Sequence, residues 1–120
     1  MAVRAIRGAI QLDTDERSHL LKSSAELVTK VLHENQLDAA DLISIWFTAT
    51  PDLVSEFPAL AARELGLGDV PLMCSVEMAV AGSMPKVIRL MMHVETNKSR
   101  SEIKHVYLRG AAALRTDLAQ

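Results

Sequence analysis

The spacing of apolar residues changes within the first third of the chain and predicts a strand followed by a helix. Val3–Leu12 alternates, with Ile6 and Ile10 on one face and Arg7 on the other. From there to about Asn35, apolar residues recur every three or four positions, which is typical of one long amphipathic helix. The residues with this spacing are Leu20, Leu21, Leu27, Val28, Val31 and Leu32.

Two acids mark the expected start of that helix. Asp13 is followed three residues later by Glu16. An Asp at a helix start accepts hydrogen bonds from first-turn N–H groups, and an acid three residues on can return one. We therefore expect a variant of the capping box with Asp13 as the cap.

The second part of the chain predicts one more helix and four more strands. Leu42–Thr48 is almost continuously apolar, which is typical of a strand covered on both faces. A short helix should begin at Pro58 and run to about Leu65, because proline is tolerated in a first turn and Gly66 then favours a stop. The remaining strands are predicted at Val70–Glu77, Val87–Val94 and Lys104–Leu108.

The order of elements is therefore β-α-β-α-β-β-β, in one domain over residues 1–120. This order is typical of an α/β (α+β) fold in which a mixed sheet carries one long and one short helix on one face. The opposite face of the sheet would then need a cover. Because 49% of the residues are hydrophobic, we expect identical subunits to provide that cover.

Composition excludes several classes of function. A net charge of −2 gives no basic surface for nucleic acid. One cysteine, Cys74, excludes an intramolecular disulfide and fits a reducing compartment. No stretch reaches the ~18 apolar residues of a membrane span, and the N-terminus does not resemble a signal peptide. We therefore expect a cytoplasmic protein that binds neither nucleic acid nor membrane.

Two cations stand in apolar surroundings and are the first candidates for chemistry. Arg7 lies in the first strand, and Arg89 lies within the apolar run 87–92. An arginine keeps its charge on burial and therefore needs an anion or strong acceptors. Each could instead face solvent at a sheet edge or pair with a carboxylate. Glu77, between Val76 and Met78, is the candidate partner, and if the three converge the site suits a small polyanion.

Seven segments along nearly the whole chain resemble the monofunctional chorismate mutases of the small trimeric α/β type. They stand in the order and spacing of that family. The segments are Ile6–Ala9, Ala49–Leu53, Phe57–Ala59, Ala62–Leu65, Cys74–Met78, Ile88–Met92 and His105–Leu108. The residues 114–118 are similar to the tail of that family as well.

The resemblance implies an isomerase that converts chorismate to prephenate in aromatic amino-acid biosynthesis. It implies a homotrimer whose sheets form a pseudo-α/β barrel, with active sites at the subunit interfaces. It implies neither cofactor nor metal, and the four histidines show no metal-ligand spacing. The enzyme would restrict the conformation of its substrate and stabilise charge on the ether oxygen.

The resemblance also assigns roles to residues. Arg89 matches the donor to the ether oxygen, and Arg7 and Tyr107 match the groups that bind the side-chain carboxylate. Glu77 and Cys74 match the residues that bond the ring hydroxyl. The remaining matches are apolar walls at Phe57, Ala59, Leu72, Met73 and Leu114, and cations at the mouth at Arg63 and Arg115.

Simpler interpretations stand beside some of these roles. Cys74 alone is more often a small buried apolar residue, Tyr107 could anchor a strand, and Arg63 could be an ordinary surface ion pair. Leu60 stands where relatives often carry a lysine, which would remove one peripheral cation. Two other functions also stay open: a trimeric imine or enamine deaminase, and a non-catalytic sensor of a carboxylated metabolite.

Overall fold

The helices and strands occur in the predicted order. The computed structural model describes residues 1–118, with side chains as far as residue 115. The strands are β1 (Ala2–Gln11), β2 (Leu42–Ala49), β3 (Leu72–Val76), β4 (Val87–Thr96) and β5 (Val106–Leu108). The helices are α1 (Arg17–Glu34) and the short α2 (Pro58–Ala62), and 3-10 turns cover Ala39–Asp41, Arg100–Glu102 and Arg109–Leu118.

The five strands form one mixed sheet, as predicted. Their order across the sheet is β3-β2-β4-β1-β5. The central pairs β2–β4 and β1–β4 are antiparallel, whereas β3 and β5 add in parallel at the two edges. This register sets Thr48 opposite Arg89 and Ala9 opposite Tyr107, so residues far apart in sequence share one face.

Both helices pack on one face of the sheet and bury an aliphatic core there. Leu20, Leu27, Val28 and Val31 of α1 join Ala59 and Ala62 of α2 against the sheet. The sheet contributes Ile6, Ile10, Ile45, Phe47, Ile88, Leu90, Met92 and Val94. No α-helix packs on the other face in the described chain, so we call it the helix-free face; only the 3-10 turn Arg109–Leu118 covers part of it, through Ala111 against Ala9 and Val87. Large apolar side chains such as Trp46 and Met73 are 50% and 57% exposed there.

The short helix ends as the sequence predicts. Its last turn widens into a π-helical turn over Arg63–Leu67, and Gly66 interrupts that turn with a φ of 91°. This left-handed conformation favours glycine because glycine lacks a Cβ atom.

Among residues 1–118, the structure contains no helix that is both long enough and apolar enough to cross a membrane.

The predicted cap of α1 is wrong. The helix begins at Arg17, and Glu16 occupies the cap position without a side-chain hydrogen bond to the helix. Asp13 lies further out, where its backbone N–H donates to Nε2 of His19 at 3.1 Å. The acid that does bind backbone is Asp15, whose carboxylate accepts the N–H groups of residues 54 and 55 at 3.1 Å each. None of these acids caps the helix, and Asp15 instead binds a segment that is distant in sequence. The local sequence pattern does not show such a contact.

Candidate functional site

A cavity of about 230 Å³ opens on the helix-free face of the sheet. We call it the arginine cavity. Strands β1, β2, β4 and β5 each supply side chains to it, and Glu77 enters from the residue just after β3. Its lining is Arg7, Gly8, Trp46, Thr48, Glu77, Arg89, Leu90, Met91, Tyr107 and Arg115.

The cavity is cationic, because three arginines face a single carboxylate. The Nε of Arg89 lies 3.1 Å from Oε1 of Glu77, and the two side chains are 40% and 27% exposed. Solvent screens a pair of this exposure, so it adds little to stability. The guanidinium groups of Arg89 and Arg7 line the same cavity, which therefore suits an anionic ligand with more than one acidic group.

Backbone contacts fix Arg7 beside the segment that carries Tyr107. The N–H of Arg7 donates to Nδ1 of His105 at 2.9 Å. The pKa of His105 is lowered, first by burial and then by the charges of Arg7 and Arg115. A neutral imidazole can accept this hydrogen bond, whereas a protonated one cannot. His105 was not predicted to have a role, and its place beside β1 makes it a structural support of the cavity.

A second group of predicted residues lies elsewhere, around a groove of about 480 Å³ that includes Phe57 and Cys74. We call this the Cys74 groove. Cys74 points toward the helix side of the sheet, because its neighbour across the strands is the fully buried Phe47. Ala59 and Arg63 lie close to its sulfur: the pKa of Cys74 is raised by burial, against smaller opposing effects of the Ala59 backbone and the Arg63 charge. A thiol with a raised pKa is a hydrogen-bonding group, not a nucleophile.

The predicted site residues therefore form two groups on one chain. The arginine cavity brings together Arg7, Glu77, Arg89, Tyr107 and Arg115. Leu114 packs against the same small buried cluster as Tyr107. The groove region holds Phe57, Ala59, Arg63 and Cys74, and Leu72 packs against the helix-side core nearby. Met73 points to the helix-free face, opposite Trp46.

Sequence reasoning missed Trp46 and Thr48 as cavity residues. Both belong to the nearly continuous apolar strand, where residues of the two faces look alike. The indole Nε1 of Trp46 donates to Oγ of Ser75 at 2.6 Å, which fixes the ring at the cavity edge. Period-two spacing from the buried Phe47 would have placed residues 46 and 48 on the opposite face, but not beside Arg89.

The described residues offer no ready metal site. Among them, no group of three or more His, Cys, Asp or Glu side chains is placed to hold an ion. The donors of the arginine cavity are guanidinium groups and a phenol, which bind anions and oxygen acceptors. This set suits a small acidic organic molecule.

Comparison with known proteins agrees with this chemistry. A family model described as chorismate mutase type I matches residues 3–118. Over 120 residues the chain is 41% identical to the chorismate mutase AroH of Bacillus subtilis (strain 168), covering 99% of this chain and 94% of that protein. Over 117 residues it is 42% identical to the chorismate mutase AroH of Thermus thermophilus, covering 97% and 96%.

A solved structure is similar over the same length. The chorismate mutase from Clostridium thermocellum Cth-682 superposes with a TM-score of 0.91 at 44% identity, covering 92% of this chain and 98% of that one. Sequence and fold thus agree along almost the whole chain. The chain belongs to the chorismate mutase type I family.

Proposed function

We propose that this protein is a chorismate mutase, an isomerase that rearranges chorismate to prephenate in aromatic amino-acid biosynthesis. Family membership supports the reaction. The single observation that carries it is the arginine cavity, where three arginines surround one ion-paired carboxylate. Chorismate is a dicarboxylate with a ring hydroxyl and an ether oxygen, so it needs cations for its acids and an acceptor for its hydroxyl.

The rearrangement is unimolecular and pericyclic, so it requires no nucleophile, proton transfer or cofactor. The protein can accelerate it by holding the extended substrate in its compact reactive conformer. It can also supply a fixed positive charge where negative charge develops as the C–O bond stretches. Arg89 fits the second task, because it lies at the centre of the sheet and its stem is held by β4.

The other cavity residues would bind and orient the substrate. Arg7 and Tyr107 lie on neighbouring strands and would hold the side-chain carboxylate, while Arg115 would retain the dianion at the mouth. Glu77 would accept the ring hydroxyl, which requires its carboxylate to share or leave the contact with Arg89. An anion beside the ring would also favour the electron-poor ring of the transition state.

The complete site would lie between two subunits of a homotrimer. The arginine cavity holds the charged groups, but the apolar walls at Phe57 and Ala59, and Cys74 for the ring hydroxyl, belong to a separate region of the same chain. A neighbouring copy that brings its Cys74 groove to the cavity would complete the pocket and cover the exposed face of the sheet. Leu72, Met73 and Leu114 would add apolar contacts, and Arg63 would add a cation at the mouth.

The cellular setting is part of the same proposal. The single cysteine of the sequence fits a reducing compartment and supports a cytoplasmic enzyme. Chorismate would be its small-molecule partner. No second ligand is needed for the chemistry.

Turnover of chorismate by the purified protein tests the proposal directly. Loss of the substrate absorbance should be saturable and should yield prephenate. Arg89→Gln should lower kcat by about 1,000-fold, comparable to the loss of one preorganised oxyanion donor. Arg100→Gln, an exposed arginine in a 3-10 turn away from the cavity, is the matched control and should match the wild type.

Each of the other possible results of this assay would favour a different function or a different role for Arg89. No turnover by a folded oligomer that still binds chorismate would favour the sensor. No turnover together with hydrolysis of carboxylated imines would favour the deaminase, which the family match already disfavours. Equal activity of Arg89→Gln and wild type would remove Arg89 from the central role.

A further inference from the structure

Two buried polar atoms in the arginine cavity lack a hydrogen-bond partner in the described part of the chain. They are Oγ1 of Thr48 and Nε of Arg89. A buried polar atom without a partner is uncommon and costs stability unless another state of the protein satisfies it. Two such atoms in one cavity suggest that the same state of the protein satisfies both.

The two residues are direct neighbours across the sheet. Thr48 of β2 stands opposite Arg89 of β4 in the antiparallel register. Side chains in such a pair share a face, with Cβ atoms about 4.5–5.5 Å apart. A hydroxyl oxygen is an acceptor and a guanidinium Nε–H is a donor, so a small side-chain rotation would pair them.

The carboxylate of Glu77 also lies beside Nε of Arg89. Its Oε1 lies 3.1 Å from Nε of Arg89, yet Nε makes no hydrogen bond, so the contact is one of charge alone. The backbone N–H of Glu77 donates to the carbonyl of Ala49 at 2.8 Å, which anchors Glu77 beside the residue that follows Thr48. The three side chains thus meet at one point of the cavity.

The remaining polar neighbour of Thr48 is already engaged. Ser75 stands opposite Thr48 on β3, and its Oγ accepts the indole N–H of Trp46 at 2.6 Å. Arg7 lies two strands away and lines the same cavity. Arg89 is therefore the neighbour whose unpaired donor matches the unpaired oxygen of Thr48.

We infer that Thr48 is a positioning residue for Arg89. When Glu77 turns to the ring hydroxyl of the substrate, the Thr48 hydroxyl oxygen accepts the Nε–H of Arg89. This bond keeps the guanidinium plane fixed, so that the Nη groups stay directed at the ether oxygen while the carboxylate is used elsewhere. The inference rests on the proposed function, because it needs a ligand that draws Glu77 away.

A pair of nearly isosteric variants tests this role. Thr48→Val keeps the shape and removes the hydroxyl, whereas Thr48→Ser keeps the hydroxyl and removes the methyl group. Thr48→Val should lower kcat about tenfold, since one hydrogen bond to a charged group is lost in the active state. Thr48→Ser should retain most of the wild-type kcat, and KM should change little in either variant because Arg89 still carries its charge.

The only tryptophan of the chain gives a separate measure of binding. Trp46 lines the cavity, so its fluorescence should respond to prephenate, and the dissociation constant should be similar in wild type and both variants. Thermal unfolding should also be similar, which separates positioning from folding.

The outcomes distinguish the inference from the proposed function. A kcat of Thr48→Val equal to that of the wild type would overturn the inference alone. So would an equal loss in Thr48→Val and Thr48→Ser, because that loss would report packing. A wild-type protein without chorismate turnover would overturn the proposed function, and the inference with it.

Discussion

The arginine cavity and the Cys74 groove are built in different ways. The cavity takes its side chains from neighbouring strands, where the register of the sheet fixes Arg7, Arg89 and Tyr107 relative to one another. The groove is formed largely by the irregular segment 50–57 and the start of α2, with β3 as its floor. Hydrogen bonds to side chains hold that segment, including those that the N–H groups of residues 54 and 55 donate to the carboxylate of Asp15.

The two regions also differ in charge. The cavity combines three arginines with one carboxylate. The groove presents an exposed Phe57, an uncharged thiol and the carboxylate of Glu56, which is paired with Arg17, and Arg63 is the nearby cation. A cavity of this kind can stabilise charge, and a groove of this kind can restrict the shape of a ligand. The two regions share no lining residue on one chain, which is why we propose that the site combines two chains.

The largest expected effect is the recovery of activity when two inactive variants are mixed. Arg89→Gln damages the cavity, and Phe57→Asp places an anion where the groove should face a dianionic substrate, so each variant alone should be nearly inactive. If equal amounts of the two variants form the proposed trimer, about a quarter of the interfaces would join an intact cavity to an intact groove. Unfolding and refolding the two variants together should therefore restore about a quarter of the wild-type activity, measured as chorismate loss.

A second mixture is the matched control for that experiment. Arg7→Gln and Arg89→Gln both damage the cavity, so no interface between them has an intact cavity. Their mixture should stay inactive. Recovery in this control, or none in the first mixture, would contradict a site shared between subunits.

Neutralising one arginine in the cavity and one near the groove should lower kcat/KM by different factors. Arg7→Gln should lower kcat/KM about 100-fold, because Arg7 is held by β1 within a partly enclosed cationic cavity. Arg63→Gln should lower it less than about tenfold, because Arg63 is exposed and solvent screens its charge. Raising the salt concentration should reduce the wild-type kcat/KM through the same screening, more weakly in Arg63→Gln. An Arg63 effect as large as that of Arg7 would show that the groove, too, acts by charge.

The sequence predicted the cavity better than the groove, for a physical reason. Arginines in apolar strands stand out, and period-two alternation gives their face, so Arg7 and Arg89 could be proposed from local pattern. Their convergence with Glu77 and Tyr107 depends on the strand order β3-β2-β4-β1-β5, which local pattern does not contain. The family resemblance supplied that information.

Other features of the structure, such as the helix cap and the position of Thr48, could not be predicted from the local sequence pattern. Asp13 looked like a cap, but Glu16 took the cap position and Asp15 bound backbone 39 and 40 residues away. Thr48 is one residue in an apolar strand, and only its position opposite Arg89 in the sheet indicates a role in the cavity. The residues 116–118 of the family-like tail are described by their backbone alone, so the prediction for their side chains stays a prediction.

Asp15 should control the geometry of the groove. Its pKa is lowered, first by the neighbouring Ser55 hydroxyl and then by the N–H of Val54. Asp15→Asn would lose one acceptor and loosen the segment that carries Phe57, so KM should rise severalfold while kcat changes less. Steady-state kinetics on chorismate measure this split, and Asp13→Asn is the control, since its backbone rather than its carboxylate makes the observed contact.

The same carboxylate predicts a pH dependence of stability. Because the folded-state pKa of Asp15 lies below its ordinary value of 3.8, its contribution is present above that pH and is lost as the pH falls through the folded-state value. Wild type should therefore be more stable than Asp15→Asn near neutral pH, and the difference should shrink below pH 3.8. Denaturant unfolding at several pH values measures this, and a constant difference would assign the effect to packing.

The smallest expected effect concerns the thiol of the groove. Burial raises the pKa of Cys74, and the charge of Arg63 opposes that shift. Since the thiolate is the reactive form, alkylation of Cys74 by iodoacetamide at neutral pH should be slower than for a free thiol. Its rate should still increase above pH 9.0, the ordinary pKa of a thiol. Arg63→Gln removes the opposing charge, so the pKa should rise further and the rate at fixed pH should fall about twofold or less, because an exposed charge acts weakly. Arg100→Gln should leave the rate unchanged. A faster reaction in Arg63→Gln would mean that this side chain shields the sulfur sterically, and the groove would then depend on Arg63 for its shape rather than for its charge.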